Sequence, residues 1–123
     1  MNEKTWNQVV GVVLILLVVL GFLNIGIPGF LSVNEPAEIG FHLVTGALAL
    51  YAGFSSGGYS AFAITYAKYG GLLYLVLGVV GFVMPDILGL FHFDLGCNLA
   101  HILFGAWGVY VGFMAPAPGK AKA

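Results

Sequence analysis

From Trp6 to Asn24 the chain carries no charged residue, and Val9 to Leu23 is almost purely aliphatic. That run approaches the ~20 residues an α-helix needs to cross ~30 Å of hydrocarbon. A segment of this kind satisfies its own backbone amides only as a helix, and it can hide its side chains only in a protein core or in lipid. The rest of the sequence decides between the two, because apolar runs return three more times within 123 residues, the third span interrupted only by Lys68 near its start. With 60% of residues hydrophobic, 7% charged and no arginine, the chain could not clothe a water-facing surface. Such a surface needs roughly a quarter of its residues charged. The sequence therefore predicts an all-α fold, a bundle of four transmembrane helices.

The spans are expected at about 6–24, 38–54, 62–84 and 95–114. They form a single four-helix transmembrane domain over residues 1–115, followed by a disordered cytoplasmic tail at 116–123. Lys4 before an apolar run is also how a secretory signal begins, but no small-x-small cleavage site follows it. Breaks between spans are marked by the Asn, Gly and Pro residues from Asn24 to Pro36, by Ser55, Ser56, Gly57 and Gly58, and by Pro85 with Asp86. Lys4, Lys68, Lys120 and Lys122 all fall on the side shared by both termini and the middle loop. The positive-inside rule makes that side cytoplasmic, N-in and C-in, with Glu35, Glu38, Asp86 and Asp94 in the two outer loops. Trp6, Tyr51, Tyr66, Tyr69 and Tyr110 then lie toward the inner boundary, where amphipathic rings are favoured. A bacterial inner (cytoplasmic) membrane is the expected location.

The second half of the chain echoes the first. Gly11 matches Gly71, Gly21-Phe22 matches Gly81-Phe82, and Gly29-Phe30-Leu31 is similar to Gly89-Leu90-Phe91, all sixty positions apart (71 − 11 = 60). After a one-residue deletion His42 pairs with His101, Gly46 with Gly105, Tyr51 with Tyr110, and Gly53-Phe54 with Gly112-Phe113. Each unit holds two spans, so the two hairpins are parallel repeats, related by a pseudo-twofold axis along the membrane normal. A left-handed bundle with spans two and four adjacent about that axis is expected.

The residues Leu90-Phe91-His92-Phe93-Asp94, Asn98-Leu99-Ala100-His101 and Gly105, with Val33-Asn34, His42 and Gly46 in the first half, give the chain a family resemblance. It resembles an uncharacterised family of small four-helix bacterial integral membrane proteins, a domain of unknown function, over nearly its whole length. Ile39 stands where Asn98 stands in the second half, so that asparagine is not duplicated. The resemblance implies a fold and no activity.

On span two, His42, Gly46, Ala49 and Gly53 follow at helical spacing and share one narrow stripe. Span four repeats it with His101, Gly105, Gly108 and Gly112. Small residues on one face let membrane helices approach closely, so these glycines and Ala49 are helix-packing candidates. His42 and His101 are the cofactor-binding candidates: their imidazoles could ligate a haem iron or a chlorophyll-type magnesium. The simpler alternative is that each histidine satisfies a neighbouring carbonyl or Glu38, four residues before His42. A stripe that joins two helices directly would leave no gap for a ring between them.

No catalytic or metal site can be assembled. Cys97 is the only cysteine, and with His101 it supplies two ligands where a closed zinc site needs four. No Ser-His-Asp set, phosphate-cradling loop or catalytic carboxylate pair is present. A net charge of −1 without a basic cluster excludes nucleic acid as a partner. The expected function is a non-catalytic accessory or scaffolding subunit without a resident cofactor. Its partners are the lipid bilayer and other integral membrane subunits, or copies of itself. The alternatives are a haem or chlorophyll-type macrocycle held by His42 and His101, and a small oligomeric channel.

Overall fold

The computed structural model describes residues 3–114 apart from 28, 33, 55–60 and 88–90. The tail expected at 116–123 and the serine-glycine break at 55–58 lie outside the described residues. Four helices follow in order: α1 (Glu3–Phe22), α2 (Pro36–Phe54), α3 (Ala61–Val83) and α4 (Leu95–Val109). The last continues into a wider π-helical turn, Tyr110–Met114. Their apolar spans of 19, 19, 22 and 19 residues are long enough to cross a membrane.

Local chemistry sets the ends. α1 starts at Glu3, ahead of the span expected from Trp6, because amide hydrogen bonding continues into the polar flank. It stops where Asn24 takes a left-handed conformation (φ 55°), the usual way to close a helix C-terminus. Pro36 opens α2 at the first helical position, where its missing N–H has no partner to lose. Asp94 caps α4, its carboxylate accepting from the Cys97 N–H at 3.2 Å. In the loop between α3 and α4, β1 (Asp86–Ile87) pairs antiparallel with β2 (Phe91–His92). The loop between α1 and α2 holds a single bridge, Ile27 to Leu31.

The helices form two tight hairpins, α1 on α2 and α3 on α4. Glycine makes both possible. A Cβ on Gly11 would lie 2.8 Å from the Leu50 nitrogen, and one on Gly53 would lie 2.7 Å from the Gln8 nitrogen. In the other hairpin a Cβ on Gly71 would lie 2.7 Å from the Val109 nitrogen, and one on Gly112 would lie 2.6 Å from the Lys68 Cα. Those distances are too short for any side chain, so backbone rests on backbone. Between the hairpins the main contact is α1 against α3, not α2 against α4. This corrects the expected adjacency of spans two and four. Their glycines face α1 and α3, which leaves only larger side chains, the histidines among them, to meet across the gap.

Three side chains bond the hairpins together by donating to helix carbonyls of the other hairpin. The Trp6 indole donates to Phe104 (2.9 Å), the Asn7 amide to Ala63 (3.0 Å) and the Tyr66 hydroxyl to Thr45 (2.6 Å). Trp6, Val10, Leu14, Ala67, Tyr74 and Val111 form the buried core around them. Outward, each helix exposes large apolar side chains, such as Leu16 on α1, Val44 on α2, Val76 on α3 and Leu103 on α4. A solvent-facing surface would carry charge at such positions; lipid accepts them as they are.

Candidate functional site

His42 and His101 each sit six residues beyond the first residue of their helix (36 to 42 and 95 to 101), about 9 Å below its start at 1.5 Å per residue. Both rings enter the space between the hairpins. There they separate a small cavity of about 40 Å3, bordered by Leu14 of α1 and Phe104 of α4, from a larger one of about 220 Å3. The larger cavity is lined by Glu38, Phe41, His42, Leu73, Leu77, Phe93 and His101. The helix geometry explains the meeting. The glycines below each histidine seat α2 on α1 and α4 on α3, and the remaining edge of the same stripe turns the imidazoles toward the other hairpin. The stripe thus joins helices within a hairpin and opens a space between hairpins, which removes the conflict foreseen from sequence.

Aromatic side chains fix the rings. Tyr74 stacks on His101, with centroids 5.7 Å apart and planes 13° from parallel, while Phe93 meets the same ring edge-on at 5.8 Å. Phe41 approaches His42 edge-on at 6.3 Å. Tyr74 is a residue that spacing alone did not single out, although it lies sixty positions beyond Leu14 in the repeat (74 − 14 = 60) and the change from Leu to Tyr was visible there.

The polar atoms of the site are incompletely paired. Glu38 is 3% exposed and His42 5%, yet Glu38 Oε2, His42 Nδ1 and His101 Nδ1 are all buried without a hydrogen-bond partner. Glu38 and His42 therefore do not use these atoms to bond one another, despite their spacing of one helical turn. Burying such groups unpaired costs about 1–3 kcal/mol each, and three of them belong to residues that line one cavity. Asn98, 4% exposed, packs against Gly81 and donates to the Phe93 carbonyl at 3.5 Å, a long contact that leaves its Oδ1 unpartnered. Cys97 is a buried free thiol. Among the described residues no three of His, Cys, Asp and Glu converge as metal ligands.

The packing candidates fall into both hairpin seams. Gly46, Ala49 and Gly53 are buried on α2, and Gly105 and Gly108 on α4. Gly112 is half-buried in the π-helical turn, held against Lys68. His92 is exposed in the loop between α3 and α4. Asp94 has a role that composition did not reveal: besides capping α4 it accepts from the Ser32 N–H of the first loop at 2.7 Å. Only an N-cap reading of Asp94 before an apolar run would have signalled it. Comparison with protein-family models, curated proteins and solved structures gave no match to the chain.

Proposed function

We propose that the chain is a non-catalytic integral membrane protein of a bacterial inner membrane, with both termini cytoplasmic. In this reading it acts as an accessory or scaffolding subunit, its apolar outer faces packing against other membrane subunits or further copies of itself. One observation carries the reading: Asn7, Glu38, His42 and Asn98 are buried inside the bundle while all four helices present large apolar side chains outward. Such a molecule offers a partner shape and van der Waals surface, the currency of helix association in lipid. The cytoplasmic placement of the termini rests on Lys4 and Lys68 lying at one end of the bundle. Lys68 there sets its ammonium 5.0 Å from the centre of the Phe113 ring, as an interfacial lysine can.

The parallel-repeat architecture is part of the proposal. It is supported by contacts that match at the repeat spacing. Gly53 against Gln8 corresponds to Gly112 against Lys68, and Gly11 against Leu50 to Gly71 against Val109. Loop pairing corresponds too, Ile27 with Leu31 and Ile87 with Phe91. Two equivalent hairpins give a bundle two equivalent outer faces.

The test is the particle size after extraction in a mild detergent, followed by photo-crosslinking from Val44 and Leu103 in intact membranes. A discrete assembly larger than one 12.9 kDa chain, with crosslinks of fixed mass from both positions, is the expected result. A lone chain that crosslinks only to lipid sinks the subunit reading.

A second reading, a haem or chlorophyll-type macrocycle on His42 and His101, has one observation in its favour: both imidazoles line the same cavity. At about 220 Å3 that cavity is below the ~300–1,000 Å3 of ordinary small-molecule sites, and a macrocycle would have to spread the hairpins. Its test is a visible absorption band in the purified protein that His42→Ala and His101→Ala abolish. A colourless preparation ends that reading for the isolated chain.

A further inference from the structure

The cavity between the hairpins has a shape and a polarity that together narrow its ligand. By the ~30 Å3 each molecule takes up in the liquid, about 220 Å3 would correspond to about seven waters. A buried water needs two to four polar partners. Apart from three polar side chains the lining is Phe41, Phe93, Leu73 and Leu77, so water could be held at the polar edge and nowhere else. The bulk of the space suits an apolar or aromatic body, and only the rim of that body can carry hydrogen-bonding atoms.

Those atoms can meet groups from both hairpins. His42 comes from one hairpin and His101 from the other, at equal depth in their helices, and Glu38 lies one turn outward of His42. A neutral imidazole has one ring nitrogen that donates and one that accepts, according to its tautomer, and a carboxylate oxygen accepts when ionised. A ring that carries oxygens on its rim can meet these groups whether those oxygens are carbonyls or hydroxyls.

The approach to the cavity is also defined. A groove of about 290 Å3 runs along the seam between α2 and α3, bordered by Leu48, Phe62, Tyr69 and Tyr74, and it shares the Leu73 side chain with the cavity. Leu48, Phe62, Tyr69 and Leu73 are exposed, so the groove faces the surroundings of the bundle at the level of the spans. A ligand reaching the cavity this way travels in lipid and can leave an apolar tail in the groove.

We propose that the cavity binds the ring of a lipid-soluble quinone or quinol, hydrogen-bonded at its oxygens by His42, His101 and Glu38, with its tail along the α2–α3 groove. The proposal concerns binding and goes beyond the subunit reading. It differs from the macrocycle in needing no metal and no separation of the hairpins.

The test uses the whole chain in detergent and the fluorescence of its two tryptophans, Trp6 and Trp107. Trp6 lies 6.4 Å from Tyr74, centroid to centroid, close enough to the site to be quenched by a bound quinone. Decyl-benzoquinone titrated into the protein is expected to quench saturably at one ring per chain. Decyl-hydroquinone is expected to compete, and decylbenzene, which has the tail and ring without oxygens, to compete at least about tenfold more weakly. The double variant His42→Leu and His101→Leu is expected to bind at least about tenfold more weakly than the wild type. If decylbenzene competes as well as decyl-hydroquinone, the oxygens are not recognised and the proposal fails; this arm needs no variant to fold. Unsaturable quenching, or better displacement by decyl-trimethylammonium, overturns it as well, the first as simple partitioning and the second as a cation site. The size of the extracted particle is measured independently, so failure here leaves the subunit reading standing.

Discussion

The two kinds of seam in this bundle are built from opposite materials. Inside each hairpin, glycines bring one helix backbone onto another, so close that no Cβ would fit at Gly11, Gly53, Gly71 or Gly112. Between the hairpins, tryptophan, tyrosine, asparagine and histidine side chains span the distance, and cavities remain. In lipid there is little hydrophobic force to drive helices together, so close van der Waals contact has to supply the stability. The hairpins have that contact along their length. The seam between them has directional bonds and unfilled polar atoms instead, which is the composition of a place where something binds or moves.

The sharpest challenge to this contrast is Gly71→Leu. The new side chain would start 2.7 Å from the Gly108 backbone, where neither partner can retreat, and a loss of at least about 3 kcal/mol is expected. Thermal unfolding in detergent reads it; an unchanged midpoint would mean the α3–α4 seam is looser than described. Gly53→Ala tests the other hairpin with a single methyl group, 2.7 Å from the Gln8 nitrogen, and should cost about 2 kcal/mol. Gly40→Ala serves as its counterpart, because nothing lies within 4 Å of that position. There the better helix propensity of alanine should raise stability by up to about 1 kcal/mol. If both variants shift the midpoint the same way, close approach is not what the glycines provide.

Trp6→Phe probes the seam between hairpins. It removes the indole bond to Phe104 and keeps most of the ring, so a loss of about 1 kcal/mol is expected by the same measurement. The smallest effect is expected for His42→Leu. Replacing a buried imidazole whose Nδ1 is unpartnered by a hydrocarbon should change stability by less than about 1 kcal/mol, or improve it. A loss of several kcal/mol would show that His42 is a structural bond and not an open ligand position.

Much of this was readable from residue order, and the reasons are physical. The long uncharged runs admitted only helices, and helical periodicity put His42, Gly46, Ala49 and Gly53 on one stripe; all four are buried. Periodicity says which residues share a face but not which neighbour receives it. For that reason spans two and four were expected side by side, whereas their glycines belong to α1 and α3. The cavity was beyond reach for the same cause. It depends on how Tyr74, Phe93 and Phe41 fill the gap, and those side chains look from sequence like ordinary membrane aromatics. Asp94 could be placed in a loop but not given a role, because its two partners, Cys97 and Ser32, lie in different halves of the chain.

That bridging carboxylate carries a consequence for biogenesis. One oxygen fastens the start of the fourth helix, and the other holds a backbone amide in a loop made sixty-two residues earlier. The neighbouring Gly96 N–H adds a second tie, to the Phe30 carbonyl. An emerging chain that has inserted only its first half therefore leaves the loop between α1 and α2 unclasped, and insertion of the last helix is the event that shuts it. The final quarter of the protein thus acts as the buckle for the first.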